Sequence, residues 1–184
     1  MISTAGAIIQ TTRLILDPLR DEDTPTVFAY RSDPASSRYQ GWKPTDEAEV
    51  AQFIADQRAQ PFGTPDSWCQ LAIRHRASGD LLGDFGAHFP PTLQDPIEFG
   101  LSLRPDAQRQ GFARESMEAA IDMAFNRWGY RRVVASVDPR NTASAALCRA
   151  LGMRQEAHHV ESYLFRGEWV DDVVFALLAR EWRK

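Results

Sequence analysis

The run LRPDAQRQGFARES, residues 103–116, holds the residue types most able to do chemistry. A strand ends near Pro105, and a long helix begins around Gly111 with no Ser, Thr, Asp or Asn placed to cap it. A helix start leaves its first backbone N–H groups without partners. Gly111 has no Cβ, so its backbone can lie close to a ligand. The N–H groups of Gln110, Gly111, Phe112, Ala113 and Arg114 then converge as a nest for anionic oxygen. The helix dipole contributes about 0.3–1 kcal/mol there. Each hydrogen bond to a charged group contributes about 1.5–3 kcal/mol, so several donors outweigh the dipole. A diphosphate suits that geometry. The P-loop string GxxxxGK[ST] is missing, and so is GxGxxG after a first strand. His158 and His159 are neighbours in a strand-like run and point to opposite faces, which argues against a metal pair.

These residues need elements to position them. RLILD (13–17) alternates as a strand. A helix runs from Pro25 to Ser32, capped by Asp23 or Thr24 and closed by Pro34. SSRYQGW (36–42) is an aromatic loop, and Asp46 with Glu49 forms a capping-box pattern opening a helix to Ala59. SWCQLAIRHR and LLGDFGAHFP flank an ASGD turn as a hairpin. GDFG (83–86) opens no helix and reads as a bulge or a close backbone contact. IEFGLSL (97–103) is the next strand. In the helix after Gly111, Met117, Ala120, Ile121, Ala124, Phe125 and Trp128 form one apolar stripe. RRVVASVD (131–138) is a buried strand, TASAALCRAL a short helix ended by Gly152, and 154–165 and 170–178 are the last two strands. The fold class is α+β, a mixed and mostly antiparallel sheet carrying one β-α-β unit. The crossover helix makes strands 97–103 and 131–138 parallel, with a ligand expected near their carboxyl ends.

At 184 residues, residues 1–184 are expected to form one domain. A net charge of −4 argues against a nucleic-acid binder. No stretch approaches 18 apolar residues, and MISTAGAIIQ lacks the basic start of a signal peptide, so no membrane partner is expected. Cys69 and Cys148, without C-x-x-C spacing, suit a reduced cytoplasmic protein.

LSLRPDAQRQGFA resembles the acetyl-CoA motif of the GNAT N-acetyltransferases: an apolar strand, a proline, then Q/R-x-x-G-x-G/A, with Ala113 in place of the second glycine. The family's second element, Asn, Ser and Leu-Gly-Phe/Met, matches Asn141, Ser144 and Leu151-Gly152-Met153. TTRLILDPLRDED, RSDP, IEFG and RGEWVDDVVFALLAREW resemble the ribosomal-protein N-terminal acetyltransferase branch, so the likeness spans nearly the whole chain. The resemblance implies splayed central strands, with the backbone of Leu101, Ser102 and Leu103 pairing with the pantetheine. It places the pyrophosphate on Gln108 to Arg114, including Arg109, and the thioester near Asn141 and Ser144. Acetyl-CoA and an amine acceptor are the implied partners, without metal, and a homodimer is common in the family. Tyr39 and Trp42 are implied to line the acceptor side, with loop anchoring as the alternative.

Acyl transfer to an amine needs alignment, an oxyanion donor such as the N–H near Leu101, and proton transfers. Glu98 is the first candidate base and Glu161 the second, an ion pair being the alternative role for Glu98. Asp171 and Asp172 read as structural or exposed. Many family members place a Tyr four residues after the motif Ser, and here Cys148 stands there. Ser144 or Cys148 can protonate the leaving sulfur, against helix capping and core packing respectively. An acyl-CoA sensor without turnover is the rival reading, and a generic phosphate-ligand protein a third.

Overall fold

The computed structural model describes residues 9–182; most of the MISTAGAIIQ run lies outside them. Eight strands and four helices follow the order β1 (Ile9–Gln10), β2 (Leu14–Pro18), α1 (Thr24–Ser32), α2 (Glu47–Ala59), β3 (Ser67–His75), β4 (Leu81–Phe89), β5 (Ile97–Leu103), α3 (Phe112–Asn126), β6 (Arg132–Val137), α4 (Thr142–Ala150), β7 (Arg154–Phe165) and β8 (Glu168–Leu178). The strands lie in one sheet in the order β1-β2-β3-β4-β5-β6-β8-β7. Each pair is antiparallel except β5 with β6, which the α3 crossover forces parallel.

Alternation along β3 shows how the sheet is covered on both faces. Leu71 and Ile73 join the larger core, with Phe85, Ile97, Ile121 and Phe175. Ala72 points the other way, to Leu19, Val27, Tyr30, Val50 and Ile54 from the α1–α2 side. A strand buried on both faces reads as a continuous apolar run, as LAI does here.

GDFG behaves as a close contact: a Cβ on Gly83 would sit 2.0 Å from the Ser102 carbonyl oxygen, and the β3–β4 register slips beside it. At the end of α4, Gly152 takes φ +79°, with Gly152 N–H donating to Arg149 O and Met153 N–H to Cys148 O. That is a Schellman closure.

Some expected details differ. Asp23 precedes α1 but does not cap it, because Arg74 and the Arg20 N–H take its carboxylate. Asp46 does cap α2 through the Glu49 N–H at 2.8 Å. The reciprocal half of the box is missing, since Glu49 binds the Thr45 N–H and Trp42 Nε1 instead. Trp128 lies beyond the end of α3 and packs beside Phe62 and Phe89. Phe125 is half-buried against Trp182 rather than in the centre. β7 is interrupted by a register slip between His159 and Tyr163.

Candidate active site

The parallel ladder is short. β5 and β6 pair at Ile97↔Val133 and Glu98↔Val134, and there the pairing ends. β5 continues along β4 to Gly83↔Leu103, while β6 continues along β8 to Val137↔Val173. The two strands therefore splay, with Glu98 at the vertex. The gap opens into a cavity of about 490 Å³ whose walls include Glu98, Gly100, Leu101, Ser136, Asn141 and Ser144.

The turn before α3 stands at the end of β5. Gly111 occupies the N-cap position at φ +82°, and no side chain caps the helix. Arg109 is also left-handed, at φ 60°. Left-handed residues at 109 and 111 bend the chain tightly, the backbone form that gathers N–H groups into an anion nest. The polar side chains of the turn brace it. Gln108 Nε2 donates to Leu103 O at 3.1 Å, and Gln110 Nε2 to Asp106 O at 2.6 Å. Arg13, just ahead of β2, donates to Gln110 O at 3.0 Å and pairs with Glu115 at 2.6 Å. Arg13 also covers the Phe112 ring at 4.6 Å. Arg114 pairs with Glu118. The amides of the turn are thus left without a capping side chain, while the loop that carries them is fixed. Leu101 faces the cavity; Ser102 and Leu103 are buried and absent from its walls.

Glu98 is half-buried, and burial pushes its carboxyl above the usual range, with the Asp172 charge adding to the rise. His88 and the Ser136 backbone oppose that shift. Asp172 accepts from Ser136 Oγ at 2.5 Å, and Asp171 holds His158 and the Glu161 N–H. Glu161 itself is exposed on the β7 bulge, at φ 44°, and is not part of the cavity wall. Asn141 Oδ1 caps α4 through the Ser144 N–H at 3.1 Å. Cys148 is buried in the wall, and desolvation pushes its thiol up to about 11, with Arg149 opposing. A thiol that holds its proton so tightly is a poor acid for a departing thiolate. Tyr39 and Trp42 both line the cavity. Tyr39 Oη donates to Arg140 O at 3.1 Å, and Trp42 stacks on Phe53 at 4.5 Å.

Further lining residues escape the sequence reading: Arg31, Phe53, Trp68, Gln70, Gly86 and Tyr163. They come from α1, α2, β3, β4 and β7, and only Trp68 and Gln70, two apart on β3, are linked by spacing. The one available signal was strand parity: Glu98 and Gly100 share a face, and so do their β4 partners His88 and Gly86.

Residues 13–154 match the Acetyltransferase (GNAT) domain. The chain belongs to the GNAT acetyltransferase family. It is 26% identical over 175 residues to an uncharacterized N-acetyltransferase, p20, of Bacillus licheniformis, covering 95% of this chain and 97% of the relative. A shorter likeness, 30% over 83 residues, links it to the [Ribosomal protein uS5]-alanine N-acetyltransferase of Escherichia coli, covering 45% and 43% of the two chains. The fold of a GNAT-family acetyltransferase from Bacillus anthracis superposes with a TM-score of 0.85 at 22% identity, over 95% of this chain and 99% of that one. This GNAT protein is an N-acetyltransferase, and enzymes of this fold draw their acetyl group from acetyl-CoA. The residues present fit coenzyme A: a bare helix start for its diphosphate, and an open strand edge for its amide-bearing arm.

Proposed function

We propose that this GNAT enzyme transfers the acetyl group of acetyl-CoA to a primary amine by direct attack within a ternary complex. The observation that carries the reading is the lapse of β5–β6 pairing after Glu98, which opens a cleft between a bare helix start and a carboxylate of raised pKa. Acetyl-CoA supplies a reactive thioester, and the remaining work belongs to the chain. The N–H groups from Arg109 to Arg114 hold the diphosphate. The open edge from Leu101 to Leu103 pairs with the pantetheine amides, and Asn141 and Ser144 border the thioester end. A backbone N–H at Leu101 donates to the oxygen on which negative charge builds. Glu98 takes the amine proton, directly or through one water. Ser144, in the cavity wall, offers its hydroxyl as a hydrogen-bond donor to the departing sulfur, and the buried Cys148 thiol, held at about 11, is not the acid. Tyr39 and Trp42 contact the acceptor.

The partial likeness to a ribosomal-protein alanine acetyltransferase supports an amine acceptor and the ribosomal-protein branch. Both cysteines are free and buried, which fits a reducing compartment, the cytoplasm. The experiment is free-thiol release from acetyl-CoA in the presence of a panel of primary amines. Saturable, amine-dependent release is expected. Tight coenzyme A binding without turnover on any amine would establish the sensor reading instead.

A further inference from the structure

The sheet face beneath the acceptor side of the cleft carries two glycines side by side, and one of them lies open. Gly86 and Gly100 are direct partners across β4 and β5, and both line the cavity. Neither has a left-handed φ, so backbone conformation does not require glycine at either position. A Cβ on Gly86 would come within 2.9 Å of Gln70 Oε1 and 3.3 Å of the Trp68 ring. A Cβ on Gly100 would meet nothing within 4 Å and would project into open space. The Gln70 amide and the Trp68 ring therefore lie over Gly86, and the backbone left open on this face is that of Gly100. Aromatic residues line the same cavity: Trp68, Trp42, Phe53, Tyr39 and Tyr163. Trp42 is fixed in place by Glu49 at 2.7 Å and by Phe53.

Charge narrows the choice of ligand. The carboxylates in the cavity wall are Glu98 and Asp138, and Asp138 is matched by Arg140 at 2.6 Å. Arg31 is matched by Asp84, which also accepts from the Tyr30 hydroxyl and the Gln70 amide. Among the wall residues, Glu98 is therefore the one carboxylate without an arginine partner, enough for one amine. A polyamine would need several such groups. A peptide would bring backbone N–H and C=O groups that need partners. Yet Gln70 is spent on Asp84, and Gln40 Oε1 accepts from Arg31.

We infer that the acceptor is a flat, largely apolar primary amine: an aromatic ring on a short alkyl arm, lying over the open Gly100 backbone among the aromatic walls, with its nitrogen at Glu98. The inference rests on the amine-transfer reading given above. In the transfer the nitrogen lone pair forms the N–C bond as the C–S bond breaks. The amine proton passes to Glu98, and the departing sulfur, hydrogen-bonded by the Ser144 hydroxyl, takes its proton from water relayed through that hydroxyl.

The test compares phenethylamine, ethylamine, spermidine and an alanine-starting pentapeptide by thiol release, in the wild-type protein and in Gly100→Val. A branched side chain suits a strand and here enters open space, so the fold is retained. Phenethylamine is expected to exceed spermidine and the peptide in kcat/KM by at least about tenfold. Gly100→Val is expected to cut the preference for phenethylamine over ethylamine at least about tenfold, through KM, with coenzyme A affinity unchanged by calorimetry. Should Val unfold the protein, Gly100→Ala serves the same comparison. Preference for spermidine or the peptide overturns the inference and leaves amine transfer standing. So does an undiminished phenethylamine preference in the variant. Loss of coenzyme A affinity assigns this face to the cofactor and also overturns it. Coenzyme A binding with no turnover of any amine overturns both readings.

Discussion

Glu98 is where residue chemistry and strand geometry meet. It sits at the last paired position of β5, so its carboxyl is half-withdrawn from water while the chain beyond it is open. Because burial raises its pKa, a base at this position loses its ionised form at a pH above the ordinary glutamate value of about 4.3. The rate is therefore expected to fall as pH drops through that raised value. In Glu98→Gln that limb should vanish and kcat should fall about a hundredfold, with coenzyme A affinity unchanged. A wild-type pH–rate curve in the variant would remove Glu98 as base. Stability runs in the opposite sense. The unfolded chain gives up this proton at lower pH than the folded one, so Glu98 withdraws stability as pH rises. Thermal melting at neutral pH should not be lowered in the variant, which separates a catalytic loss from a folding loss. Glu98 was readable from sequence because it lies on the strand leading to the glycine turn. Glu161 was not separable in the same way. Its exposure follows from a bulge in β7, and nothing in HHVESY announces that slip.

At the scale of elements, the α3 start is the most constrained piece of backbone. Gly111 is left-handed, and an added Cβ would lie 3.3 Å from Arg13 Nη2. A non-glycine residue therefore pays about 1–2 kcal/mol in conformation and displaces the arginine that braces the turn. Gly111→Ala is expected to lower stability by about that amount in urea unfolding and to weaken coenzyme A binding in calorimetry. Undiminished affinity would detach this turn from the cofactor. Helix existence was legible from apolar spacing, but helix ends were less so. Trp128 continues the stripe of α3 in sequence, yet the helix stops at Asn126 and Trp128 instead meets Phe62 and Phe89. Spacing alone does not distinguish a residue on a helix from one that reaches the same core after it.

Across the whole molecule, the α1 side of the sheet is fastened by charge as well as by apolar packing. Arg74 on β3 binds Asp17 on β2 at 2.7 Å and Asp23 ahead of α1 at 2.6 Å, with all three groups buried. Arg74→Met would strip two buried carboxylates of their shared arginine, leaving Asp17 its pair with Arg20 and Asp23 the Arg20 N–H, and removing one member of such a network costs about 3–5 kcal/mol. Urea unfolding should show a loss of that size. A loss below about 1 kcal/mol would mean that water or Arg20 compensates.

What the sequence by itself determined was local. Period-two and helical spacing gave the order of strands and helices, and the Gln-Arg-Gln-Gly-Phe-Ala turn with its lack of a cap marked the proposed anion site. Backbone geometry over a few residues is set by the residues in it, so it can be read from them. The tertiary structure alone decided the walls of the proposed acceptor side. Arg31, Trp42, Trp68, Gly86, Gly100 and Tyr163 line one cavity only because five elements and the loop before α2 converge there. Which residue of β5 is the last to pair with β6 is likewise a property of two strands twisting apart, not of either strand's composition.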